Sequence, residues 1–547
     1  MSAPALDDRL AAYLTPDEPL GPGVSPDSDR ELLDALYSDQ NEPHKSARHE
    51  EPSFIFGRKG AGKTALLLGP LGGPLGTPNL VQLGERTAFR KMKQLAVAHS
   101  DRFAATFTED AAEVWIAGFW HVAVSHAVRT ASKTEVGTIE YASMKEYLGA
   151  SGPGVSADDD LEIFFDTLLE SLESGRWRSL QTALDSLTPS SRDAEPAVTL
   201  GEATRSAEKM IRRRSRHGLV LTIDSLEDLQ YEILELETVL RGLFRAVGEL
   251  SRRRRPVLSV RCCFPTELLD DLSRLSSNPD KDFRHRIFVQ WSAAEIVTVV
   301  AKRIQLFLQL HDADANRELT AAGKLDARRT ADAKRIVRFV LPPTDRFMNR
   351  AGEPEEPLGY IMRHTQLLPR HALLLFAEII RQNRAQGGTS KGLHAEIVQH
   401  AVSDIEPDLV RGIINAYNWR FPHANLPGVM GAGLSGLPSE FTVQDLENLF
   451  NKRGIRKDYN LAFYEFVRLL ANVGAIGVSE PELHTEVYVV GRFQYTYNNP
   501  ATYMNLGSNV RLCLHPIFSG TFGGVRNGGE GGGLPVYPYG SRPEVDF

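Results

Sequence analysis

Residues 53–68 read SFIFGRKGAGKTALLL, and the fold turns on this stretch. Phe54–Phe56 form a short apolar run of the kind that suits a buried strand. Gly57-Arg58-Lys59-Gly60-Ala61-Gly62-Lys63-Thr64 then matches the pattern G-x-x-x-x-G-K-[ST] at every position. The apolar residues Ala65–Leu68 predict a helix after it. Glycines allow a backbone to wrap closely around phosphate oxygens and turn its N–H groups inward. Lys63 is expected to bridge the β- and γ-phosphates of a nucleotide, and Thr64 Oγ to ligate Mg²⁺. Phosphate binding is assigned to the whole loop: Gly57, Arg58, Lys59, Gly60, Ala61, Gly62, Lys63, Thr64 and Ala65. The bland alternative is a chance glycine-rich turn, and the flanking strand and helix count against it.

Asn79–Leu83 (NLVQL) predicts a second strand, and Leu219–Ile223 (LVLTI) and Val257–Val260 (VLSV) predict two more. Continuous apolar runs of this kind suit strands buried on both faces of a parallel sheet. Between the last two, Ile233, Leu236, Leu240, Phe244 and Val247 recur at helical spacing, which makes a right-handed strand–helix–strand crossover. LVLTI is followed by Asp224, the candidate Mg²⁺ acid. Glu227 is the candidate for polarising an attacking water, with Asp228 in reserve; both also suit a helix N-terminus, where the dipole favours acids. VLSV is expected to end at Arg261, at the sheet edge where ligands of parallel sheets bind. Arg261 would reach a γ-phosphate there or pair with Glu267. Pro369 opens an apolar helix as an ordinary first-turn proline, and Arg370 beside it is a candidate nucleotide contact from a second domain.

The 547 residues carry 62 Lys+Arg and 70 Asp+Glu, a net charge of −8, with 42% apolar residues. That is a globular balance, long enough for three or four packed units at roughly 150 residues each. The three cysteines, Cys262, Cys263 and Cys513, are too few for a disulfide framework or a zinc ligand set. No apolar stretch reaches the ~18–20 residues of a membrane helix and no signal peptide opens the chain, so a cytoplasmic protein without membrane contact is expected. The fold class expected is α/β: a P-loop core with a parallel sheet, then a helical lid, then a winged helix. The boundaries are 1–52 as a lead-in, 53–290 for the P-loop domain, 291–400 for the lid and 401–522 for the winged-helix-like domain. Residues 523–547 are a Gly-rich tail, flexible by composition.

The phosphate loop, the Asp224-Ser225-Leu226-Glu227-Asp228 string, Arg261 and Pro369-Arg370, in this order, resemble the STAND-type P-loop ATPases, especially their NACHT-like and origin-recognition-like bacterial branches. The resemblance covers roughly residues 53–400. It implies that Arg261 serves as a sensor arginine, that Pro369 packs near the base and that Arg370 senses the γ-phosphate. Phe54–Leu67, Trp291 and His515–Phe518 (HPIF) are also similar to prokaryotic P-loop ATPases encoded near defence genes. The resemblance implies ATP with Mg²⁺ as cofactors and an ATP-hydrolysing switch acting in antiviral defence or stress signalling. Its partners would be further copies of itself or a separate effector protein. Asn451-Lys452-Arg453-Gly454 lacks the acid of a guanine-reading string, so ATP is the expected nucleotide.

Two basic runs stand apart from these motifs. Arg212, Arg213, Arg214 and Arg216 precede LVLTI, and Arg252, Arg253, Arg254 and Arg255 precede VLSV. If the two strands are parallel neighbours, both runs meet at the edge opposite the nucleotide, as a surface for nucleic-acid phosphates or an acidic protein. The bland alternative is solvated charges paired with acids of the helix between. The runner-up function is accordingly a DNA-acting, origin-recognition-like loader or remodelling ATPase. A small-molecule kinase would leave the long C-terminal region unexplained.

Overall fold

The structure, a computed structural model, describes residues 5–23, 29–36, 52–68, 80–83, 85–98, 107–149, 152–173, 180–185, 187, 198–215, 218–224, 237–251, 256–269, 283, 285–321, 323–418, 425–497, 504, 507, 510–523, 534–542 and 546. The chain divides into two compact units. One comprises residues 46–57 and 66–288; the other comprises residues 1–45, 58–65 and 289–547.

The first unit carries a sheet of β1 (Phe54–Gly57), β2 (Leu80–Leu83), β3 (Leu219–Ile223), β4 (Leu258–Pro265) and β5 (Arg286–Val289). Their spatial order is β2-β3-β4-β1-β5. β2, β3, β4 and β1 run parallel, with Leu83 opposite Ile223, Ile223 opposite Cys262 and Gly57 opposite Pro265. This is the P-loop core: the strand leading into the phosphate loop lies inside the sheet, and every residue of β1 is buried. β3 and β4 are neighbours, as the crossover requires. Cys262 and Cys263 fill the core as buried thiols, and burial pushes Cys262 well above its ordinary range. β4 departs from expectation. It does not stop at Arg261, because Cys262-Cys263-Phe264-Pro265 continue the run and pair with all of β1.

Helices cover this sheet. From Val114 to Val128 the helix Phe107–Arg129 is almost entirely buried, as a helix enclosed by others must be. It packs against Glu237–Ser251, where Trp115 donates its indole N–H to the Val239 carbonyl at 3.1 Å.

The second unit is helical from Ala293 to Asn415. Helix Ala293–His311 begins with a capping box made by Ser292 and Glu295, and its buried face includes Ile296, Val300, Ile304 and Phe307. Its Leu306 and Leu310 also receive Leu10, Leu14, Leu32 and Leu36 from the N-terminal residues, which therefore pack as part of this unit. The boundary expected between 400 and 401 falls inside helix Ala395–Asn415, which packs on helix Pro369–Ala385 and on helix Pro516–Phe522.

The C-terminal part has a second sheet of β6 (Glu440–Thr442), β7 (Ile476–Ser479), β8 (Val489–Phe493), β9 (Arg511–Leu514) and β10 (Val536–Pro538), in the order β10-β8-β7-β9-β6. Helices Val443–Lys452 and Phe463–Asn472 lead into the antiparallel β7–β8 hairpin, the helix–helix–wing succession of a winged helix. β9 is inserted between β6 and β7. The tail does not follow its composition throughout. Val536–Pro538 pair in parallel with Val489–Gly491, and Tyr537 is buried. Its hydroxyl donates to Glu355, which also receives Arg363 at 2.7 Å and Asn349 at 2.9 Å. Burial alone would raise the Glu355 carboxyl, but Arg363, Tyr537 and Asn349 outweigh it and hold the carboxyl below its usual range. Tyr537→Ala should therefore destabilise the second unit by about 3–5 kcal/mol, the usual scale for truncating a buried aromatic. Denaturant unfolding followed by tryptophan fluorescence checks this, and an unchanged midpoint would contradict the docking of β10.

Candidate functional site: the phosphate loop

β1 delivers the chain into a turn that only small residues tolerate. Gly60 and Gly62 have φ of +88° and +84°, in the left-handed region that side chains rarely adopt. A Cβ on Gly60 would also stand 3.1 Å from Cβ of Arg370. The turn closes with Ala61 N–H donating to the Arg58 carbonyl at 3.0 Å. Lys63 opens helix Lys63–Leu68, is almost fully buried, and points Nζ at the same Arg58 carbonyl, 3.4 Å away. Thr64 follows it, half-buried.

Side chains distant in sequence hold the loop. Trp291 donates its indole N–H to the Ala61 carbonyl at 2.8 Å, in a buried contact. Arg370 lays its stem along Gly60 and donates Nε to the Gly23 carbonyl at 2.7 Å. Pro369 is the buried first residue of its helix, and Leu367, two residues before it, has φ of +50°, a strained value for a bulky side chain. Arg58 donates Nη2 to Oε1 of Gln366 and lies 4.9 Å from the ring centroid of Tyr495. His371, whose Nδ1 accepts from the Gln366 N–H at 3.3 Å, is held down to about 3 by burial and by the nearby Arg58 and Arg370 charges. His515 is buried and shares a 2.8 Å hydrogen bond with the Tyr495 hydroxyl.

Nothing in the spacing of the sequence singled out Gln366 or Tyr495. Gln366 follows Arg363-His364-Thr365 and Tyr495 stands between Gln494 and Thr496, unremarkable settings both, and only the fold brings them to Arg58.

In the first unit, Asp224 directly follows β3 and is half-buried. Its Oδ1 is buried and has no hydrogen-bond partner. A buried carboxylate oxygen left without a donor is costly, and a cation satisfies it. Asp224 alone, at the end of β3, thus offers an oxygen suited to a cation such as Mg²⁺. Glu227 and Asp228 lie outside the described residues. Arg261 is mid-strand, opposite Thr222. The strand end level with Gly57 is Pro265, four residues on and about 13 Å farther along the strand at ~3.3 Å per residue. The expected place of Arg261 at the ligand edge is thereby corrected.

Of the basic runs, Arg216 and Arg252–Arg255 lie outside the described residues. Arg212 is exposed in the last turn of helix Leu200–Arg214. Arg213 pairs with Glu140 at 3.0 Å, and Arg214 holds both oxygens of Glu135 at 2.7 and 2.9 Å. These acids come from the segment around residues 135–140, not from the helix between the two strands. Among the described residues no helix is long and apolar enough to cross a membrane, and no three His, Cys, Asp or Glu side chains gather as a metal site.

No protein-family model matches the chain, and no curated protein matches it. Among solved structures the chain is similar to the Aeropyrum pernix ORC2 protein in its ADPNP–ADP complexes. That likeness has 12% identity over 91% of this chain and 96% of the other, with a TM-score of 0.33. At that score the likeness assigns neither fold nor activity.

The Arg214 hydrogen bond, ahead of the bonds from Ser132, holds the Glu135 carboxyl down to about 2. A carboxyl depressed on folding contributes stability above its unfolded pKa and loses it as pH falls through the folded one. Glu135→Gln should therefore lower the melting midpoint at pH 7 by about 1–3 °C. The gap to the wild type should close between about pH 4.5 and 2. Paired thermal melts across that range measure it.

Proposed function

We propose that the chain is a Mg²⁺-dependent ATP-binding and ATP-hydrolysing switch whose nucleotide state controls the arrangement of its parts and the recruitment of partners. One observation carries this reading: loop residues 58–65 belong to the same compact unit as the helical and winged-helix parts. Trp291, Arg370, Gln366 and Tyr495 from those parts all touch the loop. A change in what the loop holds is thus felt directly by the C-terminal half, as a nucleotide switch requires.

In this reading Lys63 binds the β- and γ-phosphates, while the loop from Gly57 to Ala65 positions them. Thr64 and Asp224 are the residues that would hold Mg²⁺, and the ion would supply charge neutralisation on the phosphates. Glu227 is the residue proposed to polarise the attacking water. Arg370, fixed against Gly60, supplies positive charge beside the phosphates. Action in prokaryotic defence or stress signalling, through self-association or a separate effector protein, rests on the family resemblance.

A second reading, a DNA-acting loader, is favoured by a different observation. Lys452, Arg453, Arg456 and Lys457 are all exposed on and after the first helix of the winged-helix part. Cations clustered on such a domain suit duplex phosphates.

Lys63→Ala should abolish ATP-dependent phosphate release. Asp224→Asn should keep nucleotide binding and slow release by on the order of 10²-fold, as for the loss of a metal-positioned phosphate. Wild-type rates in both variants would overturn the assignment. A salt titration on duplex DNA separates the two readings: a steep log–log slope, about 0.9 per phosphate contact, supports the loader. Absence of binding at low salt leaves the switch.

A further inference from the structure

Arg58 is the second residue of the loop, and its environment is unusual for a guanidinium. One edge is committed, since Nη2 donates to Gln366 Oε1. One face is committed, since the Tyr495 ring lies 4.9 Å from it. The other edge is not: Nη1 is buried and has no hydrogen-bond partner. Among the described residues no carboxylate pairs with Arg58 either. Its charge therefore lies in the loop with one donor fixed in direction and unsatisfied, an arrangement that an anion relieves.

The committed side leads into the winged-helix part by a defined route. Gln366 is buried, and its Nε2 donates to the Val473 carbonyl at 2.9 Å and reaches the Gly474 carbonyl at 3.4 Å. Facing two carbonyls, that end of the amide must be the nitrogen, so the oxygen must face Arg58. Gly474 has φ of +71°, and a Cβ on it would stand 2.8 Å from Gln366 Nε2. The turn between helix Phe463–Asn472 and β7 is thus shaped around this amide. Tyr495 stacks on Phe493, the last residue of β8, with centroids 5.7 Å apart and planes at 11°. Its hydroxyl engages His515 at the start of helix Pro516–Phe522.

We propose that Arg58 is the coupling residue of the switch: Nη1 takes a phosphate oxygen of the bound nucleotide while Nη2 and the guanidinium face hold Gln366 and Tyr495. The presence and charge of the phosphates then set the order of the Val473–Gly474 turn and of the Tyr495 segment. This inference rests on the nucleotide-binding reading above. The planar fork of arginine is essential to it, because the two edges serve two partners at once; a lysine ammonium cannot span both.

The experiment is hydrogen–deuterium exchange on the full chain, with and without MgATP or MgADP, beside nucleotide affinity by calorimetry. In the wild type, nucleotide should slow exchange around residues 473–474 and 494–496. Arg58→Ala should bind nucleotide about tenfold more weakly, the scale of one charge-assisted hydrogen bond, and should lose the nucleotide-dependent change at both segments. Arg58→Lys should recover part of the affinity and none of the coupling. Circular dichroism melts establish that each variant is folded, and the lysine variant carries the test if the alanine variant is not. A wild type that binds nucleotide without any change at these segments overturns the proposal, as does an Arg58→Ala protein that keeps the change. A wild type that binds no nucleotide removes the underlying reading instead, and the coupling with it.

Discussion

The structure depends on one constraint: the turn between Gly57 and Lys63 must stay bare at Gly60 and Gly62. Its backbone takes left-handed angles at Gly60 and Gly62, and Arg370 comes within contact distance of where a Gly60 side chain would begin. Gly60 and Gly62 have no side chains with which to hold that shape. It is held from outside, by Trp291 on the Ala61 carbonyl, by Arg370 along Gly60, and by Gln366 and Tyr495 through Arg58. The same absence makes the loop dependent on the C-terminal half, so in the proposed switch binding and conformational response share their contacts.

The region behind those contacts is polar yet buried, which is costly unless the groups satisfy one another. Glu406 receives Arg350 at 2.8 Å and meets His364 Nδ1 at 2.5 Å. Burial, with Arg363 and Arg350 nearby, pushes the His364 imidazole well below its ordinary range, so it is neutral. Glu355 collects Arg363, Asn349 and Tyr537. Networks of this kind lose heavily when a single partner is withdrawn. They join helices Pro357–Arg363 and Ala395–Asn415 and strand β10 into one arrangement.

What was legible in the sequence follows from the range of each signal. The phosphate loop is contiguous, so its residues announce themselves, and β1, β2 and β3 are apolar runs bounded by polar or glycine residues. β4 was cut short because Arg261 interrupts the apolar run; it is tolerated mid-strand, opposite Thr222, while Cys262–Pro265 carry the strand onward beside β1. β10 was missed because three residues after a glycine-rich stretch carry no periodicity, and only Tyr537 meeting Glu355 fixes them. Gln366 and Tyr495 were illegible for the same reason: their partners lie in the loop, hundreds of residues away. Arg213 and Arg214 were read as a possible patch because their acids, Glu140 and Glu135, lie about 75 residues earlier in the chain.

The central claim is that this loop holds a nucleotide, and titration calorimetry of the wild-type chain with MgATP addresses it most directly. The account predicts saturable binding at one site per chain, with a dissociation constant in the micromolar range or tighter, on the order of −8 kcal/mol, and competition by MgADP. No heat of binding up to millimolar MgATP, from a folded protein, would contradict it.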